Sequence, residues 1–159
     1  MSLKVGLTGL GAMGVPMARH LAAHGLLVAL ANRTQAKALA LAAELGVEAI
    51  AEPIELARRC DVIVTCVTAD ADVLALCADY ARAGHAGLVV IDTSTIASTS
   101  ARRAAALLRE AGGDFIDAPV SGGVEGAKNG RLSVMAGGNA ATLERVRAVH
   151  LTASGGPFR

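Results

Sequence analysis

The glycine-rich stretch at residues 5–14 (VGLTGLGAMG) constrains the fold of this chain most strongly. A short apolar run is followed by three spaced glycines and then by an amphipathic segment. This pattern predicts a strand, a tight turn and a helix. In that arrangement Gly9 permits the turn, Gly11 lets the backbone approach a pyrophosphate, and Gly14 lets the helix pack against the strand. The first amides of the helix would hold the phosphates. The sequence therefore predicts a dinucleotide-binding turn, with a merely structural turn as the alternative.

The length and composition indicate one globular domain. The chain has 159 residues, of which 53% are hydrophobic and 18% charged, enough for a single core and far from a disordered composition. The net charge is +1, and no basic stripe or aromatic platform is present, so we expect no nucleic-acid partner. The longest apolar run, residues 26–31, is too short to span a bilayer. We expect a cytoplasmic protein with no membrane association.

The three cysteines are predicted to be buried apolar residues. Cys60, Cys66 and Cys77 are odd in number and lack a CxxC spacing, which favours neither a disulfide framework nor a metal site. The four histidines are scattered and have no acidic or cysteine neighbours at the spacing of metal ligands. We therefore expect no bound metal.

Apolar runs and amphipathic segments alternate along the first 118 residues. The amphipathic segments predict helices that end at glycines, among them Gly25, Gly46 and Gly84. Strands are predicted near the N-terminus and at residues 26–31, 47–50, 61–67, 88–92 and 115–118, with helices at residues 13–24, 35–45, 71–83 and two further positions. This alternation predicts an α/β fold with a doubly wound, mostly parallel Rossmann-type sheet.

The alternation stops after residue 119. Residues 121–130 form a Gly-rich loop too short for a helical crossover, and residues 132–136 predict another strand. A parallel return needs a dozen or more connecting residues, so this strand is expected to run antiparallel. With a last helix at residues 140–150, the dinucleotide-binding domain would occupy residues 1–150, and residues 151–159 would form a disordered tail.

The end of the second predicted strand indicates which dinucleotide binds. An NAD site usually carries Asp or Glu there to accept hydrogen bonds from the ribose 2′-hydroxyl, whereas this chain has Asn32, Arg33 and Thr34, followed by Lys37. Arg33 offers a fork of donors that matches a phosphate, and its two neighbours add neutral donors. The sequence therefore favours NADP over NAD. Alternatively, Arg33 is a solvated loop residue and Thr34 caps the next helix.

Two more polar stretches follow later strands, at the sheet edge where open α/β sheets bind ligands. The hydroxyls of residues 93–95 could face a nicotinamide or a substrate, although helix capping is an alternative use. Ser121, with Gly122 and Gly123, offers a hydroxyl and backbone amides to a carboxylate or carbonyl oxygen. A flexible turn would have the same composition.

Three motifs follow one another in this chain: residues 9–18 (GLGAMGVPMA), 92–96 (DTSTI) and 117–127 (DAPVSGGVEGA). Together they resemble the β-hydroxyacid dehydrogenase family, which includes 3-hydroxyisobutyrate dehydrogenase and tartronate semialdehyde reductase and is related to 6-phosphogluconate dehydrogenase. The similarity extends from residue 3 to about residue 149. It implies reversible NAD(P)-dependent oxidation of a small 3-hydroxy acid, in which hydride passes to or from the nicotinamide and a lysine is the general acid and base.

The resemblance assigns roles by position. Ser121, Gly122 and Gly123 would hold the carboxylate and hydroxyl of the substrate. The resemblance implies that the pyrophosphate is bound by Gly9, Leu10, Gly11, Ala12, Met13 and Gly14. It implies that the 2′-phosphate is bound by Asn32, Arg33 and Thr34, the ribose by Val67 and Thr68, and the nicotinamide end by Thr95. The Asn-Arg-Thr triplet resembles that of the NADP-using members.

The sequence departs from the family pattern after about residue 148. In the family, the catalytic lysine lies on a long helix beyond the position where this chain stops, and that helix leads into a helical second domain that makes the dimer. The resemblance thus predicts the cofactor-binding half only, with an uncovered surface that makes copies self-associate. Lys128 is the one lysine near the substrate loop, but it does not match the catalytic position. The rival hypothesis is a module that binds a dinucleotide without catalysis.

Overall fold

The computed structural model describes residues 2–83 and 85–155. Its strands are β1 (Val5–Thr8), β2 (Leu27–Ala31), β3 (Glu48–Ala49), β4 (Val62–Thr65), β5 (Val89–Asp92), β6 (Asp114–Asp117), β7 (Val120–Ser121) and β8 (Ser133–Val134). Its helices are α1 (Gly14–Ala23), α2 (Gln35–Leu45), α3 (Pro53–Arg59), α4 (Asp70–Arg82), α5 (Ser98–Glu110), α6 (Gly123–Lys128) and α7 (Ala140–Ser154).

The first six strands form one parallel sheet in the order β3-β2-β1-β4-β5-β6. Strands β1, β4 and β5 are buried along their whole length, which explains why their sequences are apolar runs rather than alternating patterns. After β3 the chain returns to the other side of β1, so the direction of winding reverses between β1 and β4. A crevice forms at the carboxyl ends of the strands at such a point. The predicted Rossmann-type sheet is confirmed.

The core has one layer on each face of the sheet. On one face, α1, α2 and α7 pack around buried side chains such as Met17 and Val149. On the other face, α3, α4 and α5 enclose a layer that contains Tyr80 and Leu108. Because helices cover both faces, the strand ends are held firmly, and the loops that follow them start from fixed positions.

The last two strands stand apart from the main sheet. Strands β7 and β8 pair antiparallel, with Val120 opposite Val134 and Ser121 opposite Ser133. The expected antiparallel strand near the C-terminus is therefore confirmed, although it belongs to a separate two-stranded sheet.

Residues 121–130 are not the open loop that was expected, because they include α6. This short helix contains two glycines, but it is anchored through Ala127, which lies fully buried in the core. His20 Nε2 on α1 donates a hydrogen bond to the Ala127 carbonyl over 2.8 Å. Tertiary contacts thus form a helix where the local sequence is a poor helix former.

The C-terminal helix is also longer than predicted. Helix α7 continues past residue 150 to Ser154, because Ala153 is packed in the core, so residues 151–154 are not a disordered tail. Residues 156–159, and Gly84 where the fourth helix was expected to end, lie outside the described residues. In the two described ranges, no helix is both long and apolar enough to cross a membrane.

The cysteines are free thiols in this fold. Cys60 and Cys77 are buried, whereas Cys66, expected to be buried too, is only partly so. Within the described part of the chain, no group of three or more His, Cys, Asp or Glu side chains could hold a metal ion.

Candidate functional site

The glycine turn lies between β1 and α1, at the crevice of the main sheet. Gly9 has a φ of +102°, and a Cβ on it would lie 2.0 Å from the Cys66 carbonyl oxygen. A Cβ on Gly14 would lie 1.8 Å from the Gly9 carbonyl oxygen. These two glycines are therefore required by the fold itself, for the turn and for the close packing of helix and strand.

Gly11 differs from both, because a Cβ on it would meet no heavy atom within 4 Å and its φ is outside the left-handed region. The fold therefore does not require glycine there, whereas a ligand that touches the backbone would. The amides of Gly11, Ala12, Met13 and Gly14 have no hydrogen-bond acceptor among the described residues. Four such donors at the start of α1 fit the pyrophosphate that the sequence predicts.

Asn32 connects the glycine turn to the end of β2. The Leu10 amide donates to Asn32 Oδ1 over 2.9 Å, and Asn32 Nδ2 donates to the Thr34 carbonyl over 3.0 Å. The Asn32 side chain thus holds two loops of the site together, which the sequence did not predict. Thr34 occupies the N-cap position of α2, but its side chain makes no capping hydrogen bond.

Arg33 forms an ion pair with Asp72, which sequence reasoning missed. Arg33 Nη2 lies 2.6 Å from Asp72 Oδ1, and the two side chains are 85% and 28% exposed. Asp72 belongs to the first turn of α4, so the fold brings a carboxylate to the loop after β2 that carries none of its own. A phosphate bound by Arg33 would compete with this partner for the guanidinium.

Val67 and Thr68 follow β4, and Thr95 follows β5. The Val67 amide donates to Ser94 Oγ over 2.9 Å, which ties the two loops together. Thr68 and Thr95 are exposed, and their hydroxyls make no hydrogen bond within the described residues, so both are open to a ligand.

Asp92, the last residue of β5, is fully buried below these loops. Its Oδ1 accepts hydrogen bonds from Thr65 Oγ1 over 2.7 Å and from the Ser94 amide over 3.3 Å. Burial raises its pKa to about 6, and the charge of Asp117 adds to the rise, while the hydrogen bonds from Thr65 and Ser94 oppose it. A buried carboxylate with a raised pKa therefore lies at the carboxyl edge of the sheet.

Residues 121–123, the loop predicted to bind the substrate, are exposed to solvent. Ser121, Gly122 and Gly123 are all exposed, and both glycines have a positive φ, of 135° and 66°. The Ser121 hydroxyl makes no hydrogen bond within residues 2–83 and 85–155. The loop therefore presents a hydroxyl and a left-handed Gly-Gly backbone to solvent.

A cavity of about 640 Å³ extends from the glycine turn to α6. Lys37 and Lys128 line it from α2 and α6, and Arg19 lines it from α1. Its lining also includes Gly11, so one cavity with basic side chains in its lining connects the glycine turn with α6, the helix that follows residues 121 and 122. Thr95 and Ser121 are not part of its lining, so the structure does not gather all predicted site residues in one cavity.

Residues 4–155 match the family described as the NAD binding domain of 6-phosphogluconate dehydrogenase. The 2-hydroxy-3-oxopropionate reductase of Escherichia coli is 37% identical over 147 residues, which are 91% of this chain and 50% of that protein. The NAD-dependent L-serine dehydrogenase of Pseudomonas aeruginosa is likewise 37% identical over 147 residues, with 91% and 49% covered. The chain thus spans about half the length of these relatives.

A solved structure of Mycobacterium tuberculosis 3-hydroxyisobutyrate dehydrogenase with L-serine has the same fold over nearly the whole chain. The TM-score is 0.90 at 35% identity, and the match covers 98% of this chain and 53% of that one. The similarity therefore includes the glycine turn, the strand ends and the substrate loop.

Proposed function

Because the chain belongs to the family of the NAD-binding domain of 6-phosphogluconate dehydrogenase, we propose that it is the cofactor-binding part of an NADP-dependent β-hydroxyacid dehydrogenase. The observation that carries this proposal is the contrast between Gly11, whose Cβ would meet open space, and Gly9 and Gly14, whose Cβ atoms would strike backbone. A bound group that approaches the backbone gives a reason for glycine at residue 11, where packing gives none. The bound dinucleotide supplies hydride transfer at its nicotinamide, and the chain supplies binding and orientation.

Each loop at the sheet edge has one task in this proposal. The amides from Gly11 to Gly14 bind the pyrophosphate, together with the backbone of Gly9 and Leu10. Val67 and Thr68 contact a ribose, and the free Thr95 hydroxyl contacts the nicotinamide end. Ser121 and the two glycines after it bind the substrate.

The preference for NADP depends on the competition between Asp72 and the 2′-phosphate for Arg33. An exposed ion pair such as Arg33–Asp72 contributes about 0 to 1 kcal/mol, whereas each charge-assisted hydrogen bond to a phosphate contributes about 1.5 to 3 kcal/mol. A phosphomonoester also carries about −1.5 to −2 charges at pH 7, against one for Asp72. The phosphate therefore displaces Asp72 from Arg33, and Asp72 reduces the preference without reversing it.

The substrate class follows from what the names of the relatives share. Both 2-hydroxy-3-oxopropionate and L-serine are three-carbon carboxylates with an oxygen on the third carbon, and L-serine is present in the similar solved structure. A Ser hydroxyl beside a left-handed Gly-Gly backbone suits a carboxylate and a neighbouring hydroxyl. We propose a small 3-hydroxy acid or its semialdehyde.

A panel of such acids, with either dinucleotide, tests the proposal. Calorimetry should show NADPH binding, which Gly11→Val abolishes. Turnover by the 159-residue chain should be negligible, because the general acid and base that the resemblance implies is not among its residues, and such catalysis contributes about 10² to 10⁴ in rate. Robust NADP reduction that is lost in Lys128→Ala would show instead that Lys128 has that role. A chain that binds neither dinucleotide would refute the proposal.

Self-association belongs to the same proposal. Met135, which follows β8, is 59% exposed, and Val124 on α6 is 37% exposed, so apolar side chains flank the substrate loop. A second copy would remove them from water. Light scattering that shows a strict monomer would contradict this part. A cytoplasmic location rests on composition alone, and cell fractionation would test it.

A further inference from the structure

A buried chain of hydrogen bonds connects β5 to the loop after β4. Asp92 accepts from the Ser94 amide, and Ser94 Oγ in turn accepts from the Val67 amide over 2.9 Å. Ser94 is only 4% exposed and Asp92 is not exposed at all. One carboxylate thus fixes the start of the loop after β5, and through Ser94 it fixes the start of the loop after β4.

We propose that Asp92 is a positioning residue of the cofactor site: it holds Ser94 so that Ser94 Oγ, which accepts from the Val67 amide, fixes the Val67 backbone beside the bound cofactor. The inference rests on the proposed function, because Val67 and Thr68 contact the ribose in that assignment. Asp92 itself touches neither cofactor nor substrate. It influences the cofactor site through the geometry of the loops after β4 and β5.

The core does not require an acid at this position. Val90, two residues earlier and on the same face of β5, belongs to the apolar layer, and a further apolar residue would extend that layer. Asp92 Oδ2 is buried and has no hydrogen-bond partner in the described part of the chain. A half-satisfied buried carboxylate opposes stability, so its benefit must lie in the loops that its other oxygen organises.

Burial raises the pKa of Asp92 to about 6. The other titratable groups that face it are Asp117 on β6, Cys77 on α4 and Cys66 after β4. Burial raises the pKa of both thiols, which stay neutral, and it raises the pKa of Asp117 as well. When Asp92 ionises, Oδ1 becomes a stronger acceptor for Thr65 and Ser94. The loops should therefore be held more firmly above pH 6 than below it.

Amide hydrogen exchange tests the positioning without any cofactor. Ser94→Ala removes the acceptor for the Val67 amide, and Asp92→Asn removes the charge that orients Ser94. Both should accelerate exchange at Val67 by up to about tenfold, the effect of losing one hydrogen bond. The matched control is Tyr80→Phe, which removes a buried hydroxyl that is bonded to Thr8 over 3.0 Å and that makes no hydrogen bond to either loop within the described residues. Unchanged exchange at Val67 in Ser94→Ala would overturn the proposal.

Titration with NADH tests the consequence for binding. NADH is the probe because it lacks a 2′-phosphate, which itself titrates near pH 6. Its affinity for the unmodified chain should rise about two- to tenfold from pH 5 to pH 7.5, the range for one strengthened hydrogen bond, and the rise should vanish in Asp92→Asn. A wild-type pH profile in Asp92→Asn would overturn the inference alone. Failure of the unmodified chain to bind NADH or NADPH would overturn the proposed function, whereas the exchange at Val67 would still report on positioning.

Discussion

In the proposed function Gly11 serves cofactor binding, whereas Gly14 is required by the fold. Alanine at the two positions should therefore change the stability of the fold in opposite directions. At Gly11 an added Cβ meets nothing within 4 Å, and the backbone is outside the left-handed region. At Gly14 it would lie 1.8 Å from the carbonyl oxygen and 2.9 Å from the carbonyl carbon of Gly9. Backbone atoms in a tight turn cannot move aside as the end of a flexible side chain can.

These distances give the expected magnitudes. A Gly→Ala change at a compatible position stabilises by about 0.4 to 1 kcal/mol, and a domain of this size shifts by roughly 2 to 4 °C in Tm per kcal/mol. Gly11→Ala should therefore raise Tm by about 1 to 4 °C. Overpacking costs about 1 to 3 kcal/mol or more, and a 1.8 Å approach to backbone belongs at the upper end. Since alanine regains only about 1 kcal/mol of helix propensity, a net cost of about 2 kcal/mol remains, and Gly14→Ala should lower Tm by about 4 to 8 °C.

The assay pairs thermal unfolding with calorimetric titration of NADPH on the same preparations. Gly11→Val should keep a cooperative transition and lose binding, because a branched side chain fills the space that the phosphates need. Gly14→Ala should lose stability first and bind only as far as it is folded. A drop in Tm for Gly11→Ala would refute the argument that the fold does not need this glycine. Wild-type affinity in Gly11→Val would refute the pyrophosphate assignment.

The remaining predictions concern charge. Arg33→Ala should weaken NADPH binding about tenfold or more and barely affect NADH, and equal losses in calorimetry would reject the 2′-phosphate role. Asp72→Asn should strengthen NADPH binding by about two- to fivefold by freeing Arg33, with no gain for NADH. Because its pKa is raised to about 6, Asp92 binds its proton more tightly in the folded state than in the unfolded state. The contribution of Asp92 to the free energy of unfolding should therefore fall as pH rises from about 4 to about 6, and denaturant titrations of Asp92→Asn should lack that contribution.

Local patterns account for most of the main sheet. Each parallel strand is covered on both faces, so its sequence is an apolar run that can be recognised without knowledge of its neighbours. The helix α6 could not be predicted in this way, because two of its six residues are glycines and their propensity opposes a helix. It forms because Ala127 is buried and its carbonyl accepts from His20, a residue 107 positions earlier. Contacts of that range are not encoded in local spacing.

Some features of the candidate site can likewise be predicted from the sequence, and others cannot. The three glycines are recognisable because their spacing itself carries the geometry of the turn. The partner of Arg33 is not, since Asp72 lies 39 residues away and meets it only because α4 starts near the end of β2. The connection from Asp92 to Val67 is equally invisible in the sequence, because it crosses between two strands that become neighbours only in the folded sheet.

In the proposed function, the choice of cofactor depends on the first turn of α4 as well as on the end of β2. In the sequence, the loop after β2 has no carboxylate, which alone favours NADP. In the fold, α4 delivers Asp72 to that loop, 2.6 Å from Arg33, so the region where a ribose 2′ group would bind has both a donor fork and an acceptor. In the proposed function, we expect the phosphate of NADPH to take Arg33 and to be repelled by Asp72, and we expect the ion pair to stay intact with NADH. Asp72 is thus expected to narrow the gap between the two affinities. Removing its charge should widen that gap, and should widen it less in Arg33→Ala, where only the repulsion of the phosphate is relieved.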